Sequence, residues 1–299
     1  SMRDVQRTDG RFPDIAPLGG GFGGLLWGSA GITVPWECYQ QYGDTILLSE
    51  HYDAMKRYIQ YIIDNTIETE TNLIVQTRSW GDLCDWLGLE DEKNDKSLVW
   101  EAYFIYDLEL MAKMATVLGK VTDAEWFREL HAARKDFFNK TYIEPETGKT
   151  LFSAFVPEKK GSHIDIQTSY VLPLAFNIID EENRNKVIAN LAETVRRENT
   201  TDRGQQCPSY SLMTGFIGTS WINKALSDYG HSDLAYRLLQ QTSYPSWLYS
   251  IEQGATTIWE RLNSYTRTDG FGGNNRMNSF NHYSFGAVGA WMYNYSLGI

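Results

Sequence analysis

Apolar side chains recur at helical spacing along most of this chain, and this pattern limits the fold more than any other feature. Between residues 45 and 66 they return every three or four positions, which places them on one face of a helix. The side chains concerned are Leu47, Leu48, Tyr52, Met55, Tyr58, Ile59, Ile62 and Ile63. The same criterion predicts helices at residues 34–42, 45–66, 97–118, 122–139, 164–179, 180–198, 218–229, 232–241 and 282–297.

The predicted helices form pairs that recur about every 35–45 residues, without the signature of a short sequence repeat. This arrangement fits an all-α toroid in which inner and outer helices alternate. Strand signals are few. An alternating pattern at 149–156 predicts a minor β-hairpin with residues 141–145. We expect residues 1–299 to form a single domain.

Charge and hydropathy exclude two classes of partner. Lys and Arg number 27 and Asp and Glu 38, which gives a net charge of −11. A chain this acidic is repelled by phosphate backbones, so no nucleic-acid partner is predicted. The sequence has no apolar run of about 18 residues, so no membrane-spanning helix is predicted either.

Cofactor and metal motifs are missing from the sequence. The glycine-rich run at 18–24 lacks the Lys and Ser/Thr of a phosphate loop and follows no strand, so no nucleotide cofactor is predicted. The His and Cys residues are isolated, which predicts neither a metal site nor a disulfide framework. Residues 3–6 show no helix cap and no signal peptide, so we expect the chain to begin inside a larger protein. Its location and its oligomeric state are not indicated.

The most informative motif joins residues 254–261 (Gly-Ala-Thr-Thr-Ile-Trp-Glu-Arg) to residues 278–283 (Asn-Ser-Phe-Asn-His-Tyr). Glu260, Trp259 and His282 supply a carboxylate, an indole and an imidazole, which are the base, stacking platform and polar clamp of a sugar-cleaving pocket. Structural alternatives exist for two of them. Glu260 could pair with a distant Arg, though not with Arg261, because adjacent residues do not face each other. His282 could be a structural residue in a first helical turn.

Two further clusters combine Trp with carboxylates. Trp27 lies in a flexible glycine-rich loop, where it either fixes the loop or faces a ligand. Trp80 and Asp82 belong to a segment that could contact sugar. In the alternative, the Trp is buried and Asp82 or Asp85 caps the backbone. Aromatic residues make up 14% of the chain, enough for a large core with some left to line a groove.

Several blocks of sequence together resemble the catalytic domain of the bacterial α-L-rhamnosidases, glycoside hydrolase family 78. The blocks are DGRFPDIAP, GSAGITVPWECYQQYGD, YDAMKRYIQYI, TGFIGT, YPSWLYSIEQGATTIWERLNS and MNSFNHYSFGAVGAWMY. The resemblance implies an (α/α)6 barrel that removes terminal α-L-rhamnose from glycosides or polysaccharides with inversion. It implies Glu260 as general base, and Trp27, Trp80 and His282 as sugar-pocket residues. It supports Asp82 as a sugar-pocket residue more weakly.

The sequence departs from the family pattern in three respects. Only about nine of the twelve helices of a six-hairpin barrel are predicted, so the barrel is expected to be incomplete at its N-terminus. The family's general acid lies in an RDERxGWxGD block that this sequence lacks, so the acid is expected upstream and the 299 residues alone are expected to be inactive. Ser29 stands where the family usually has Asp.

Two other functions stay open on the sequence. One is a different (α/α)6 glycosidase, trehalase-like or glucoamylase-like. The other is a non-catalytic carbohydrate-binding scaffold.

Overall fold

The computed structural model describes residues 2–21, 24–76, 83–272 and 277–298, which are mostly helical. The α-helices are Ala30–Tyr42 (α1), Thr45–Thr66 (α2), Lys96–Val117 (α3), Val121–Tyr142 (α4), Gln167–Ala175 (α5), Glu181–Arg196 (α6), Phe216–Thr219 (α7), Ile222–Asp228 (α8), Ser232–Gln240 (α9), Trp247–Glu252 (α10) and Val288–Trp291 (α11). Short 3-10 turns lie at Arg3–Val5, Asp91–Lys93, Pro157–Lys159 and Ser284–Ala287, and a π-helical turn lies at Met292–Leu297.

Local signals fix where the first long helices begin and end. Helix α1 ends at Gly43, whose φ of +68° is a left-handed conformation that glycine adopts without steric cost. Asp44 then begins α2, because its side chain accepts the Ile46 N–H at 2.8 Å. Asp95 begins α3 in the same way, from the Ser97 N–H at 2.9 Å.

The chain divides into two compact units. The first consists of Ser1–Cys84, Asp95–Tyr142 and Phe152–Ser162, and the second of Asp85–Asn94, Ile143–Leu151 and His163–Ile299. In the first unit α1, α2 and α4 pack against α3, which is buried on nearly every side. In the second unit α6, α7 and α8 pack against α5, and α9 packs against α8. The single domain expected from the sequence stays a prediction.

A buried ion pair crosses the interior of the first unit. Arg134 of α4 donates from Nε to Glu101 of α3 at 2.8 Å and makes a second bond from Nη2, with side-chain exposures of 5% for Arg134 and 0% for Glu101. Burial raises the pKa of Glu101, while the hydrogen bonds and charge of Arg134 lower it. The guanidinium also donates to the side chain and the carbonyl of Asn72. This pair joins the two helices through polar groups that are almost completely buried.

The strand content of the described residues is small. Two-residue strands at Asn199–Thr200 and Gln206–Cys207 pair antiparallel. The predicted pairing of 141–145 with 149–156 is confirmed as a single antiparallel bridge between Ile143 and Thr150.

The helix predictions were accurate where the predicted span is one continuous α-helix. They were wrong where turns divide the predicted span into shorter pieces. The span 45–66 is confirmed as α2. The predicted helix 218–229 is two helices, α7 and α8, and α10 was not predicted. The last predicted helix, 282–297, begins two residues later and passes through 3-10, α and π turns. In the described parts of the chain, no helix combines the length and the apolar character needed to cross a bilayer.

Candidate active site around Glu260

The two segments of the principal motif lie side by side in the second unit. The Glu260 N–H donates to the Ser279 carbonyl at 2.9 Å, and the His282 N–H donates to the Ile258 carbonyl at 2.8 Å. The Ser279 N–H donates in turn to Oε2 of Glu260 at 2.8 Å. The two irregular segments that carry Glu260 and His282 are therefore hydrogen-bonded to each other through their backbones.

Within the described part of the chain, the carboxylate of Glu260 is fixed through one oxygen. The residue is 5% exposed, and its Oε2 is held by the Ser279 N–H. Among the described residues, no group donates to Oε1 and no cation pairs with the carboxylate. Arg261 donates instead from Nε to the Met277 carbonyl at 3.1 Å, as expected for a residue that does not face Glu260. Oε1 is therefore free of described protein donors and is the oxygen that could take a proton from water.

His282 is held by ring stacking and by one weak hydrogen bond. Its imidazole stacks on Phe216, with ring centroids 4.8 Å apart, and on Tyr283 at 5.5 Å. Nδ1 accepts the Ser284 N–H at 3.4 Å. A neutral imidazole with Nδ1 as acceptor carries its proton on Nε2, and this N–H is the donor that a sugar hydroxyl would accept.

Trp259 packs into an aromatic chain beside Glu260. It is 7% exposed and meets Phe280 edge to face, with centroids 5.3 Å apart. Phe280 in turn meets Phe271 at 5.6 Å, and Phe271 is 59% exposed. The predicted stacking platform at Trp259 therefore has only a small surface to offer.

The first unit holds Trp27, which is half-buried just before α1. Its neighbours Leu25 and Leu26 are buried, and the Leu25 N–H donates to the side chain of Gln76 at 2.6 Å. The loop is thus anchored by residues next to Trp27, and part of the indole stays exposed. The predicted contacts Trp80 and Asp82 lie outside the described residues.

Ser29, the departure from the family pattern, has a structural partner. It is fully buried and donates to Oδ2 of Asp107 at 2.6 Å. Asp107 is also fully buried, its Oδ1 has no hydrogen-bond partner among the residues that the structure describes, and burial raises its pKa well above the ordinary range. The hydroxyl of Ser29 is therefore engaged inside the protein.

Asp85 organises a turn that the sequence did not reveal. Its Oδ1 accepts the N–H groups of Ile217 and Gly218, both at 2.9 Å, and its Oδ2 accepts the Gly215 N–H at 2.8 Å. The Thr168 hydroxyl donates to Oδ2 as well. The alternative in which Asp85 caps backbone groups is confirmed, although these groups lie far along the chain.

Metal chemistry gains no support from the described side chains. Across 2–21, 24–76, 83–272 and 277–298, no three His, Cys, Asp or Glu side chains gather in a way that could hold an ion.

Comparison with known proteins places this chain in a family. A family model described as the bacterial α-L-rhamnosidase six-hairpin glycosidase domain matches residues 1–296. The chain is 37% identical over 294 residues to an α-L-rhamnosidase of Streptomyces avermitilis, covering 98% of this chain and 25% of that protein. It is 34% identical over 307 residues to one of Formosa agariphila, covering 100% of this chain and 30% of that protein.

Solved structures agree with the sequence comparison. The crystal structure of a Streptomyces avermitilis α-L-rhamnosidase complexed with L-rhamnose superposes with a TM-score of 0.82 at 36% identity, covering 98% of this chain and 25% of that one. The chain thus spans about a quarter to a third of the length of its relatives. The predicted all-α, six-hairpin fold class is confirmed. On the match over residues 1–296, the chain belongs to the bacterial α-L-rhamnosidase six-hairpin glycosidase domain family.

Proposed function

We propose that the protein containing this chain releases terminal α-L-rhamnose from glycosides or polysaccharides, with Glu260 as general base. The observation that carries the proposal is the asymmetric carboxylate. Oε2 of Glu260 is held by the Ser279 N–H, while Oε1 receives no hydrogen bond from the described residues. Membership of the rhamnosidase family, and the rhamnose complex of its Streptomyces relative, support the choice of sugar.

The proposed reaction inverts the anomeric centre. Oε1 of Glu260 takes a proton from a water, whose oxygen attacks the anomeric carbon from the face opposite the leaving group. An acid protonates the glycosidic oxygen as its bond to the anomeric carbon breaks, and in inverting enzymes the two carboxyl groups lie roughly 6.5–9.5 Å apart. By the family resemblance, this acid belongs to a segment outside these 299 residues.

The remaining site residues are assigned to binding. We assign the Nε2–H of His282 to a rhamnose hydroxyl, because Nδ1 is occupied as an acceptor. Trp259 contributes the small part of its indole that is exposed. Trp27, Trp80 and Asp82 are proposed as sugar contacts on the family resemblance alone.

The Glu260→Gln variant of the full-length protein tests the assignment. A Gln at 260 can still accept the Ser279 N–H, but its amide cannot take a proton from water. We expect hydrolysis of an aryl α-L-rhamnoside to fall by a factor of about 10²–10⁴, with L-rhamnose still bound. Glu252→Gln, at an exposed position on α10, is the matched control and should keep full activity.

Two results would overturn parts of the proposal. Near-normal turnover of Glu260→Gln would remove Glu260 from the role of base. NMR of freshly released rhamnose should show the β-anomer first, and initial α-anomer would exclude inversion.

Activity on aryl glucosides without activity on rhamnosides would favour a trehalase-like or glucoamylase-like enzyme, and binding without any hydrolysis would favour a scaffold.

A further inference from the structure

The buried carboxylate of Asp85 has no part in the chemistry proposed above, yet it is enclosed by hydrogen-bond donors. It is 1% exposed and receives the N–H groups of Gly215, Ile217 and Gly218 together with the Thr168 hydroxyl. Three backbone donors from the turn 215–218 converge on this one carboxylate, and such charge-assisted hydrogen bonds hold the turn in place.

Three glycines allow the backbone to pack closely around Asp85. A Cβ at Gly215 would lie 2.3 Å from the carbonyl oxygens of Asp85 and Trp86. One at Gly88 would lie 2.8 Å from the Asp85 carbonyl oxygen, and one at Gly218 would lie 2.8 Å from the Thr168 hydroxyl. The backbone of the turn therefore lies directly against the segment that carries Asp85.

Phe216 connects this turn to the candidate active site. Its N–H donates to the Trp86 carbonyl at 2.9 Å, and the residue is 9% exposed. Its ring stacks on His282 with centroids 4.8 Å apart and planes inclined by 29°, and it meets Phe285 edge to face at 5.4 Å. A ring fixed in this way limits the positions that the His282 imidazole can adopt, since the only hydrogen bond to that imidazole from described residues is the long one from Ser284.

We propose that Asp85 is a positioning residue for sugar binding, which acts through the turn 215–218 and Phe216 to orient the imidazole of His282. The inference rests on the proposed function, because it takes His282 as the donor to a rhamnose hydroxyl. Asp85 itself touches no substrate. Its carboxylate fixes the conformation of the turn, and the turn fixes the position of the Phe216 ring. The ring in turn determines the direction of the His282 Nε2–H.

A double-mutant cycle in the full-length protein tests this chain of contacts. The dissociation constant of L-rhamnose is measured by calorimetry for the wild type, Asp85→Asn, His282→Ala and the double variant. An Asn at 85 places an NH₂ against at least one backbone N–H, so the turn must shift. We expect each single variant to weaken rhamnose binding several-fold, and Asp85→Asn to add no further loss once His282 is Ala. Losses that multiply in the double variant would overturn the proposal.

A second double-mutant cycle uses Phe216→Leu to test the same contacts. It leaves the four donors to Asp85 in place and removes only the ring that faces His282, so its cycle with His282→Ala should also be non-additive. If Asp85→Asn fails to fold, this cycle decides the question. Unchanged rhamnose affinity in Phe216→Leu would refute the proposal.

Asp95→Asn is the matched control for loss of a buried carboxylate. Asp95 is fully buried in the first unit and accepts the N–H groups of Ser97 and Ser153 at 2.9 and 2.6 Å. This variant should lower the melting temperature and leave rhamnose affinity unchanged. If Asp85→Asn behaves in the same way, its role is structural only and the proposal fails.

The failure of the proposed function would look different. It would show as a wild-type protein that neither binds nor hydrolyses rhamnosides. A wild type that binds rhamnose with unchanged affinity in His282→Ala would remove His282 from the site and this proposal with it, while leaving Glu260 as the proposed base.

Discussion

Replacing Arg134 by Met should destabilise the first unit strongly, and the structure indicates where the free energy is lost. The guanidinium makes two hydrogen bonds to Glu101 and two to Asn72. Asn72 is exposed, so water replaces its lost partner at little cost. The Glu101 side chain is 0% exposed, so water cannot replace its lost partner. Almost the whole free-energy penalty therefore comes from leaving its carboxylate buried and unpaired.

The size of the destabilisation can be calculated from protonation, because a Glu101 that has lost Arg134 takes up a proton in the folded state. In the unfolded chain a Glu titrates near 4.3, so protonating it at pH 7 costs about 2.7 × 1.36 ≈ 3.7 kcal/mol. This agrees with the loss of about 3–5 kcal/mol that is typical when one partner of a buried pair is removed. A folded-state pKa above the unfolded value means that stability is lost as the pH rises. The penalty should therefore shrink by up to about 2.7 kcal/mol between pH 7 and pH 5.

Urea unfolding followed by tryptophan fluorescence at pH 5 and pH 7 measures the effect. Lys140→Met is the matched control on the same helix, because Lys140 pairs with Asp136 at 2.7 Å with side-chain exposures of 75% and 61%. It should cost less than about 1 kcal/mol. The double variant Glu101→Leu, Arg134→Met should recover most of the stability, since no charge is left buried. A loss below about 1 kcal/mol for Arg134→Met at pH 7, or a loss that grows towards pH 5, would refute the reasoning.

Two further predictions concern buried positions near the motifs. The raised pKa of Asp107 means that folding favours its protonated form, so the wild type loses stability as the pH rises. Asp107→Asn should therefore gain stability relative to the wild type between pH 5 and pH 8 in urea unfolding, and a constant difference would contradict this. Gly215→Ala should lower the unfolding free energy by about 2 kcal/mol or more, because its Cβ would meet backbone atoms at 2.3 and 2.4 Å. Gly289→Ala, whose Cβ would meet nothing within 4 Å on α11, should change it by less than about 1 kcal/mol in the same assay.

The sequence predicted helices well where the signals are local. Helix α2 has Gly43 before it, Asp44 as its cap and an unbroken apolar face, so its bounds could be read directly. Helix α10 has six residues, too few for the periodicity that the prediction depends on. The segment 282–297 carries an apolar pattern, but that pattern does not distinguish α from 3-10 or π turns, because each leaves similar residues on one side.

The candidate site shows the same limit. The types and spacing of Glu260 and His282 indicated a sugar-cleaving pocket, and the structure places their segments side by side. Nothing in the sequence indicated that Asp85 would bind backbone groups about 130 residues away, or that Phe216 would stack on His282. Such contacts depend on tertiary packing between distant segments. The burial of Trp259 is a property of its neighbours and not of its own side chain.

The reciprocal bonding between Glu260 and Ser279 has a kinetic consequence. The Glu260 amide donates to the Ser279 carbonyl, and the Ser279 amide donates to the Glu260 carboxylate. The His282 amide donates to the Ile258 carbonyl between the same two segments. The Glu260 and His282 amides both donate to backbone carbonyls of the opposite segment, so neither can open to solvent without separation of the two segments, and both should exchange with deuterium at one common opening rate. The backbone positions of Glu260, the proposed base, and of His282 should therefore be lost in the same opening event and restored in the same closing event.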